Sequence, residues 1–300
     1  MTEAEAATRC GFVALIGAPN TGKSTLLNRL VNARVSLVSR KAQATRAVVR
    51  GIIVTGATQI VFVDTPGIFT PGTRQLDKAM VRTAWREMGK ADSVVVLVDA
   101  HRPKAADSLR IIEGLAGHGD KVFLAINKID GVEKSQLLAQ AEAYNKHYEF
   151  GETFMISARF GDGVAALEAS VAAGMPEGPW LYPPDSLTDQ RPQMRAAEIT
   201  REQLYHMVHH ELPYEATVET SGWEEKPDGS LKVTQIIYVR RDSQKGIIVG
   251  QKGVMIRRIG EAARRVMEDY FERRVHLLTT VKMRRDWDKR PDYYRDMGLG

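Results

Sequence analysis

The residues Gly17, Ala18, Pro19, Asn20, Thr21, Gly22, Lys23 and Ser24 follow the spacing GxxxxGK[ST], directly after an apolar run and ahead of a helical pattern that opens with Thr25 and two leucines. In that setting the amides of a glycine-rich turn and a helix N-terminus converge on phosphate oxygens, and glycine lets the backbone come close enough to donate. Lys23 is expected to neutralise β and γ phosphates, and Ser24 to offer magnesium the hard oxygen it prefers. Asp64, Thr65, Pro66 and Gly67 end another apolar run and are followed by Ile68. A carboxylate there would hold a water of the magnesium shell, while the Gly67 amide would bind the γ phosphate and release the loop once that group is lost. Between the two lies KAQATR, residues 41–46, where Thr45 reads either as a second hydroxyl ligand or as an ordinary polar loop residue.

Asn127, Lys128, Ile129 and Asp130 end a later run. An aspartate in that place accepts from the N1 and N2 hydrogens of guanine together, an arrangement adenine lacks, and an acceptor left unpaired rejects the wrong base. Lys128 would lay its stem over the ring, and Asn127 would tie this loop to the phosphate loop. Ser157, Ala158 and Arg159 follow the next run, with the Ala158 amide placed for guanine O6. Alone that triplet reads as a turn. In fixed order with the other loops it points to GTP or GDP with Mg2+.

These loops need a scaffold that brings strand ends together. Short apolar runs begin near residues 12, 48, 60, 93, 121 and 153, and helical patterns with three-to-four spacing separate most of them. This is the signature of an α/β domain, a mostly parallel sheet with helices on both faces. The stretch 174–193 carries five prolines and no period, which marks a linker. The expected division is a nucleotide-binding domain at 1–178, a linker at 179–194 and a second, α+β domain at 195–300. The second domain reads as helix, two strands around Asp228 and Gly229, two helices and a last strand.

Between its two helical patterns the second domain holds Gly250, Gln251, Lys252 and Gly253. Two glycines at this spacing let amides approach the phosphates of a single strand, with apolar neighbours as a groove for unstacked bases. Lys245, Lys252, Arg257 and Arg258 would supply the cationic charge. Residues 232–285 hold 14 Lys/Arg against 5 Asp/Glu, a local balance of +9, whereas 198–230 hold 2 against 8. A polyanion partner follows from that clustering rather than from the modest overall charge of +5. His206, His209 and His210 read as surface or helix-dipole residues rather than metal ligands.

With 300 residues, 43% of them hydrophobic, the chain can fill about two cores. One cysteine, Cys10, excludes an internal disulfide and a cysteine zinc site and suits a reducing cytoplasm. No apolar run approaches the roughly 18 residues of a membrane span, the N-terminus is acidic where a secretory signal would be basic, and no acylation motif is present. Any membrane contact, such as one at the inner face of the cell membrane, is expected to be peripheral and without a lipid anchor. A monomer is expected.

The motifs GAPNTGKST, KAQATR, DTPGI, NKID, SAR and GQKG together resemble those of the Era family of GTPases, from about residue 11 to the end. The resemblance implies a P-loop GTPase domain joined to a type II KH domain. It also implies a role in maturation of the small (30S) ribosomal subunit through binding of the 3′ end of 16S ribosomal RNA. Ala44 departs from the pattern, since relatives often carry threonine there, and so does Arg159, where Leu or Lys is common. Ile68 replaces the glutamine with which many switch GTPases orient water, so slow intrinsic hydrolysis is expected. A related group of GTPases with a hydrophobic residue at that place uses a P-loop asparagine to hold K+. Asn20 either plays that part or caps the turn. Asn20, Lys23, Thr45 and Gly67 are thus the candidate catalytic residues, and Ser24, Thr45 and Asp64 the candidate metal ligands. Competing functions are a P-loop kinase or ATPase, against which NKID argues, a membrane signalling GTPase, and a non-catalytic GTP-dependent RNA-binding adaptor that uses GTP only as a structural ligand.

Overall fold

The computed structural model describes residues 7–39, 41, 45–103, 105–117, 121–208, 212–289, 293–294 and 297–299. Ala44, His209 and His210 lie outside them. The chain divides into two compact units. The first holds the described residues through Val38, those of 45–189 and those of 297–299; the second holds the described residues of 39–44 and of 190–296.

In the first unit β1 (Arg9–Gly17) leads into α1 (Lys23–Val31), and β2 (Val49–Thr55) turns back into β3 (Thr58–Asp64). Then follow α2 (Gln75–Met88), β4 (Ser93–Asp99), α3 (Ala106–Glu113), β5 (Val122–Asn127), α4 (Lys134–Asn145), β6 (Glu152–Ile156) and α5 (Val164–Ala173). The strand order is β2-β3-β1-β4-β5-β6, with β2 antiparallel to β3 and all other pairs parallel. Alternate residues of each central strand serve opposite faces. Val13, Leu15, Val95 and Leu97 join α1 and α5 in one core, while Ala14, Ile16, Val94 and Val96 join α2, α3 and α4 in the other. The order reverses between β1 and β4, and a sheet of this kind opens its ligand crevice there, at the carboxyl ends of the strands. The phosphate loop, DTPG, NKID and SAR all leave from those ends.

The proline-rich stretch is not a free tether. Gln59 on β3 is wholly buried (0% exposed). Its Oε1 accepts from the Leu181 and Tyr182 amides at 2.9 and 3.0 Å, and its Nε2 donates to the Tyr182 carbonyl at 2.8 Å. Trp180 Nε1 donates to the Ala57 carbonyl at 3.1 Å, and the Ile52 amide donates to the Leu187 carbonyl at 3.0 Å. The stretch therefore runs beside the edge strand β2 and pairs part of an otherwise open ladder. Residues 297–299 also pack in this unit: Val48 donates its amide to the Met297 carbonyl at 3.1 Å, and Met297 and Leu299 are buried.

The second unit runs α6 (Pro192–Met207), β7 (Ala216–Glu225), β8 (Leu231–Val239), α7 (Asp242–Val249), α8 (Val254–Phe271) and β9 (Val275–Met283). Its sheet has the order β7-β8-β9, antiparallel then parallel. Helix α6 begins inside the stretch read as linker, with proline in its first turn, where the missing N–H costs nothing. Ile259, Ala263 and Met267 form the buried stripe of α8. Arg195, Thr200, Arg201 and Glu202 on α6 are buried too, against the surface reading their types suggest. Arg201 is paired with Glu198, and Thr200 donates to Gln235 at 2.6 Å, so part of this polar run finds its partners within the fold.

Candidate functional site

The phosphate loop is held by its own backbone. The left-handed φ of Asn20 (66°) and Gly22 (102°) turns the chain so that α1 starts at Lys23. Asparagine and glycine both tolerate that region. Lys23 Nζ donates to the Gly17 and Ala18 carbonyls, each at 3.0 Å, and Thr21 Oγ1 donates to Ala18 at 2.9 Å. Burial lowers the Lys23 ammonium to about 8, against the attraction of Asp64, which acts to raise it. Pro19 packs against the DTPG loop. A Cβ added at Gly67 would stand 2.8 Å from the Pro19 nitrogen, so only glycine lets the two backbones meet. The Ile68 amide donates to the Gly17 carbonyl at 3.1 Å, and Thr65 Oγ1 to the Leu15 carbonyl at 2.9 Å. The Ile68 side chain is 2% exposed and belongs to the core beside Ile16 and Ala18.

The oxygens expected around a metal come together. Ser24 Oγ lies 2.8 Å from Thr45 Oγ1 and donates to Asp64 Oδ2 at 2.6 Å. A third hydroxyl, Ser36 Oγ, donates to the same carboxylate oxygen at 2.7 Å. Asp64 Oδ1 is buried and has no hydrogen-bond partner among the described residues. Burial raises the Asp64 carboxyl, and Lys23, Ser24 and Ser36 oppose that shift. Hydroxyl and carboxylate oxygens with one orphaned acceptor are the donor set that Mg2+ and its waters suit.

At the base end, Asn127 is a brace. Its Nδ2 donates to the Thr21 carbonyl at 2.7 Å, and its Oδ1 accepts the Ala158 amide at 2.9 Å, the amide that the sequence reading placed on guanine O6. Asp130 is exposed, with Oδ1 held by Ser157 Oγ at 2.9 Å. Lys128, also at positive φ, spans the Asn20 carbonyl at 2.6 Å and Asp99 Oδ2 at 2.7 Å. Ile129 donates its amide to Ile156 at 3.3 Å, which joins NKID to β6. Arg29 of α1 donates to the Ala158 and Arg159 carbonyls, and the Arg159 guanidinium stacks on Phe160 with 5.1 Å to the ring centroid. Pro66 lies in the DTPG loop, and Thr25 in the first turn of α1. Sequence reasoning missed Asn28, Ser36 and Asp99. Asp99 ends an apolar strand as Asp64 does, which is a usable signal; Asn28 and Ser36 have none.

In the second unit Gly250, Gln251, Lys252 and Gly253 form a tight turn between α7 and α8, with positive φ at Gly250 (70°), Lys252 (51°) and Gly253 (77°). Lys245, Gln251, Lys252, Arg257 and Arg258 are all exposed. Gly253, Ile256, Arg257, Gly260 and Arg264 line one side of an open groove of about 430 Å3, with Leu277 and Thr279 of β9 on the other. Arg258 lies outside that lining.

Residues 12–128 match the family model of 50S ribosome-binding GTPases, and residues 211–288 match that of KH domains. GTPase Era of Afipia carboxidovorans is 51% identical over 97% of this chain and 94% of its own length. GTPase Era of Mesorhizobium japonicum is 52% identical over 98% of this chain and 94% of its own. Among solved structures, an Era variant of Aquifex aeolicus bound to GDP and AlF4− superposes with a TM-score of 0.91 at 33% identity, covering 98% of this chain and all of that one. Era in complex with MgGDPNP and nucleotides 1506–1542 of 16S ribosomal RNA gives 0.91 at 34% identity, with 98% and 99% covered. Fold and loops thus define a P-loop GTPase domain followed by a KH domain. At this identity and coverage the chain belongs to the Era family of GTPases.

Proposed function

We propose that this chain hydrolyses GTP to GDP and phosphate and uses the nucleotide state to control binding of the 3′ end of 16S ribosomal RNA during maturation of the 30S subunit. The observation that carries the reading is the convergence of Ser24, Thr45 and Asp64 oxygens beside Lys23 and the phosphate loop. Ser24 and Thr45 would hold Mg2+ directly and Asp64 through a water. When bound there, the ion would supply positive charge to the phosphate oxygens. Lys23 exchanges the Gly17 and Ala18 carbonyls for phosphate oxygens, and the Gly67 amide, set against Pro19, senses the γ phosphate. Asp130 selects guanine, with Asn127 bracing the loops around it. Ile68, locked in the core, cannot orient water, which supports slow intrinsic turnover. The RNA assignment rests on the GQKG turn, its basic flanks and the RNA-bound relative. The protein is proposed to act as a monomer in the cytoplasm.

Phosphate release by the purified chain tests this, with and without a single strand from the 3′ end of 16S ribosomal RNA, in K+ and in Na+ at equal ionic strength. Turnover specific to GTP and RNA bound more tightly with a GTP analogue than with GDP is the expected result. RNA binding with no turnover in either salt would favour the adaptor reading. A K+ advantage lost in Asn20→Ala assigns Asn20 to the ion; equal rates leave it a turn residue.

A further inference from the structure

Asp64 takes two hydroxyl donors on one oxygen, and only one of them comes from the expected metal ligands. The second, Ser36, is 1% exposed and lies between the buried Val35 and Leu37, so the early part of the loop that leads to Thr45 is seated in the core. Ser36 is also clamped. Asn28 Oδ1 accepts the Val35 and Ser36 amides at 2.9 and 2.8 Å, and Asn28 Nδ2 donates to the Ser36 carbonyl at 2.8 Å. Every hydrogen-bonding direction of the Asn28 amide but one is used on this short segment. Asn28 stands four residues after Ser24 on α1, hence on the same helix face. That face reaches Asp64 Oδ2 by two routes, directly through Ser24 at 2.6 Å and through the Asn28-held Ser36 at 2.7 Å.

Two donors on Oδ2 fix the carboxylate plane and leave Oδ1, buried and without a donor, as its remaining acceptor. We infer that Ser36, held by Asn28, is a positioning residue that turns Asp64 Oδ1 toward the waters of the bound magnesium. The inference rests on the metal reading of this site. Groups that orient a metal's ligands without touching the metal change affinity by about 10- to 100-fold when removed. The arrangement gives the loop before Thr45 a part in metal affinity at a residue that touches neither nucleotide nor metal.

Release of a fluorescent GDP from the full chain, titrated with Mg2+ and repeated in EDTA, provides the test. Wild type should release slowly in Mg2+ and faster in EDTA. In Ser36→Ala the Mg2+ concentration for half-maximal retention should rise by about tenfold or more, with the EDTA rate unchanged. Ser36→Thr, which keeps the hydroxyl, should restore the midpoint. Asn28→Ala, which keeps every hydroxyl but frees the segment, should shift it in the same direction by less; if Ser36→Ala does not fold, this variant decides. An unchanged midpoint overturns the inference. So does a rise of the EDTA and Mg2+ rates by one common factor, which would make the clamp a support of the loop alone. If wild-type release ignores Mg2+, the metal reading itself fails and takes this inference with it.

Discussion

At the residue scale the proposed base pocket depends on one exposed carboxylate. Asp130 keeps Oδ1 on Ser157, and Asn127 and Lys128 hold the loops around it. In Asp130→Asn the new amide donates where the carboxylate accepted, which suits the O2 of xanthine. Affinity for GDP is expected to fall by about tenfold or more while that for XDP rises, since an unpaired polar group costs about 1–3 kcal/mol; competition titration checks it. Lys23 gives a pH dependence. Its ammonium sits at about 8 without ligand because it is buried, and the phosphates bind the charged form. Below that value the proton is already in place. As pH rises through it, binding must recover the proton from solvent, so GDP affinity in EDTA should fall by up to about tenfold per unit. A flat affinity between about pH 7 and 9 would remove this account.

At the element scale the GQKG turn separates geometry from charge. A Cβ at Gly250 would press on Met255 at 2.7 Å, but at Gly253 it meets nothing within 4 Å. Gly253→Asp therefore adds its side chain in open space, and its cost is the positive φ of 77°, which aspartate bears better than most residues. It should leave GTP binding and the melting of the chain near wild type while weakening RNA binding by about tenfold or more, which corresponds to 1.4 kcal/mol; filter binding measures the loss. The strap along β2 makes the opposite kind of prediction. Gln59→Leu would leave the Leu181 and Tyr182 amides and the Tyr182 carbonyl without their partner. Urea unfolding should show a loss of about 2–4 kcal/mol in the first unit, with RNA binding by the second retained.

Over the whole molecule charge is segregated: the +9 of residues 232–285 gathers on the unit that carries the groove, beside an acidic 198–230. Association with a single strand should weaken with added salt, and Lys252→Ala should lower the slope by about 0.7, the release expected per contact. Affinity of Gly253→Asp, extrapolated to high salt, should stay below that of Lys252→Ala, because loop geometry survives screening and charge does not.

What the sequence determined by itself was everything local. Glycines at fixed spacing, a lysine after them, aspartates at strand ends and alternating apolar runs each dictate a backbone shape within a few residues, so the glycine-rich loop after β1, the loops that leave the ends of β3, β5 and β6, the GQKG turn and the order of elements could be read directly. Tertiary structure decided the bonds between distant residues. Nothing in their types links Asn28 to Ser36, Ser36 to Asp64, or Gln59 to Leu181 and Tyr182, and charged residues such as Arg195 and Arg201 look like surface. Those partners are chosen by which polar groups the packed cores leave facing each other, since a buried donor without an acceptor is costly and pairing has no sequence period.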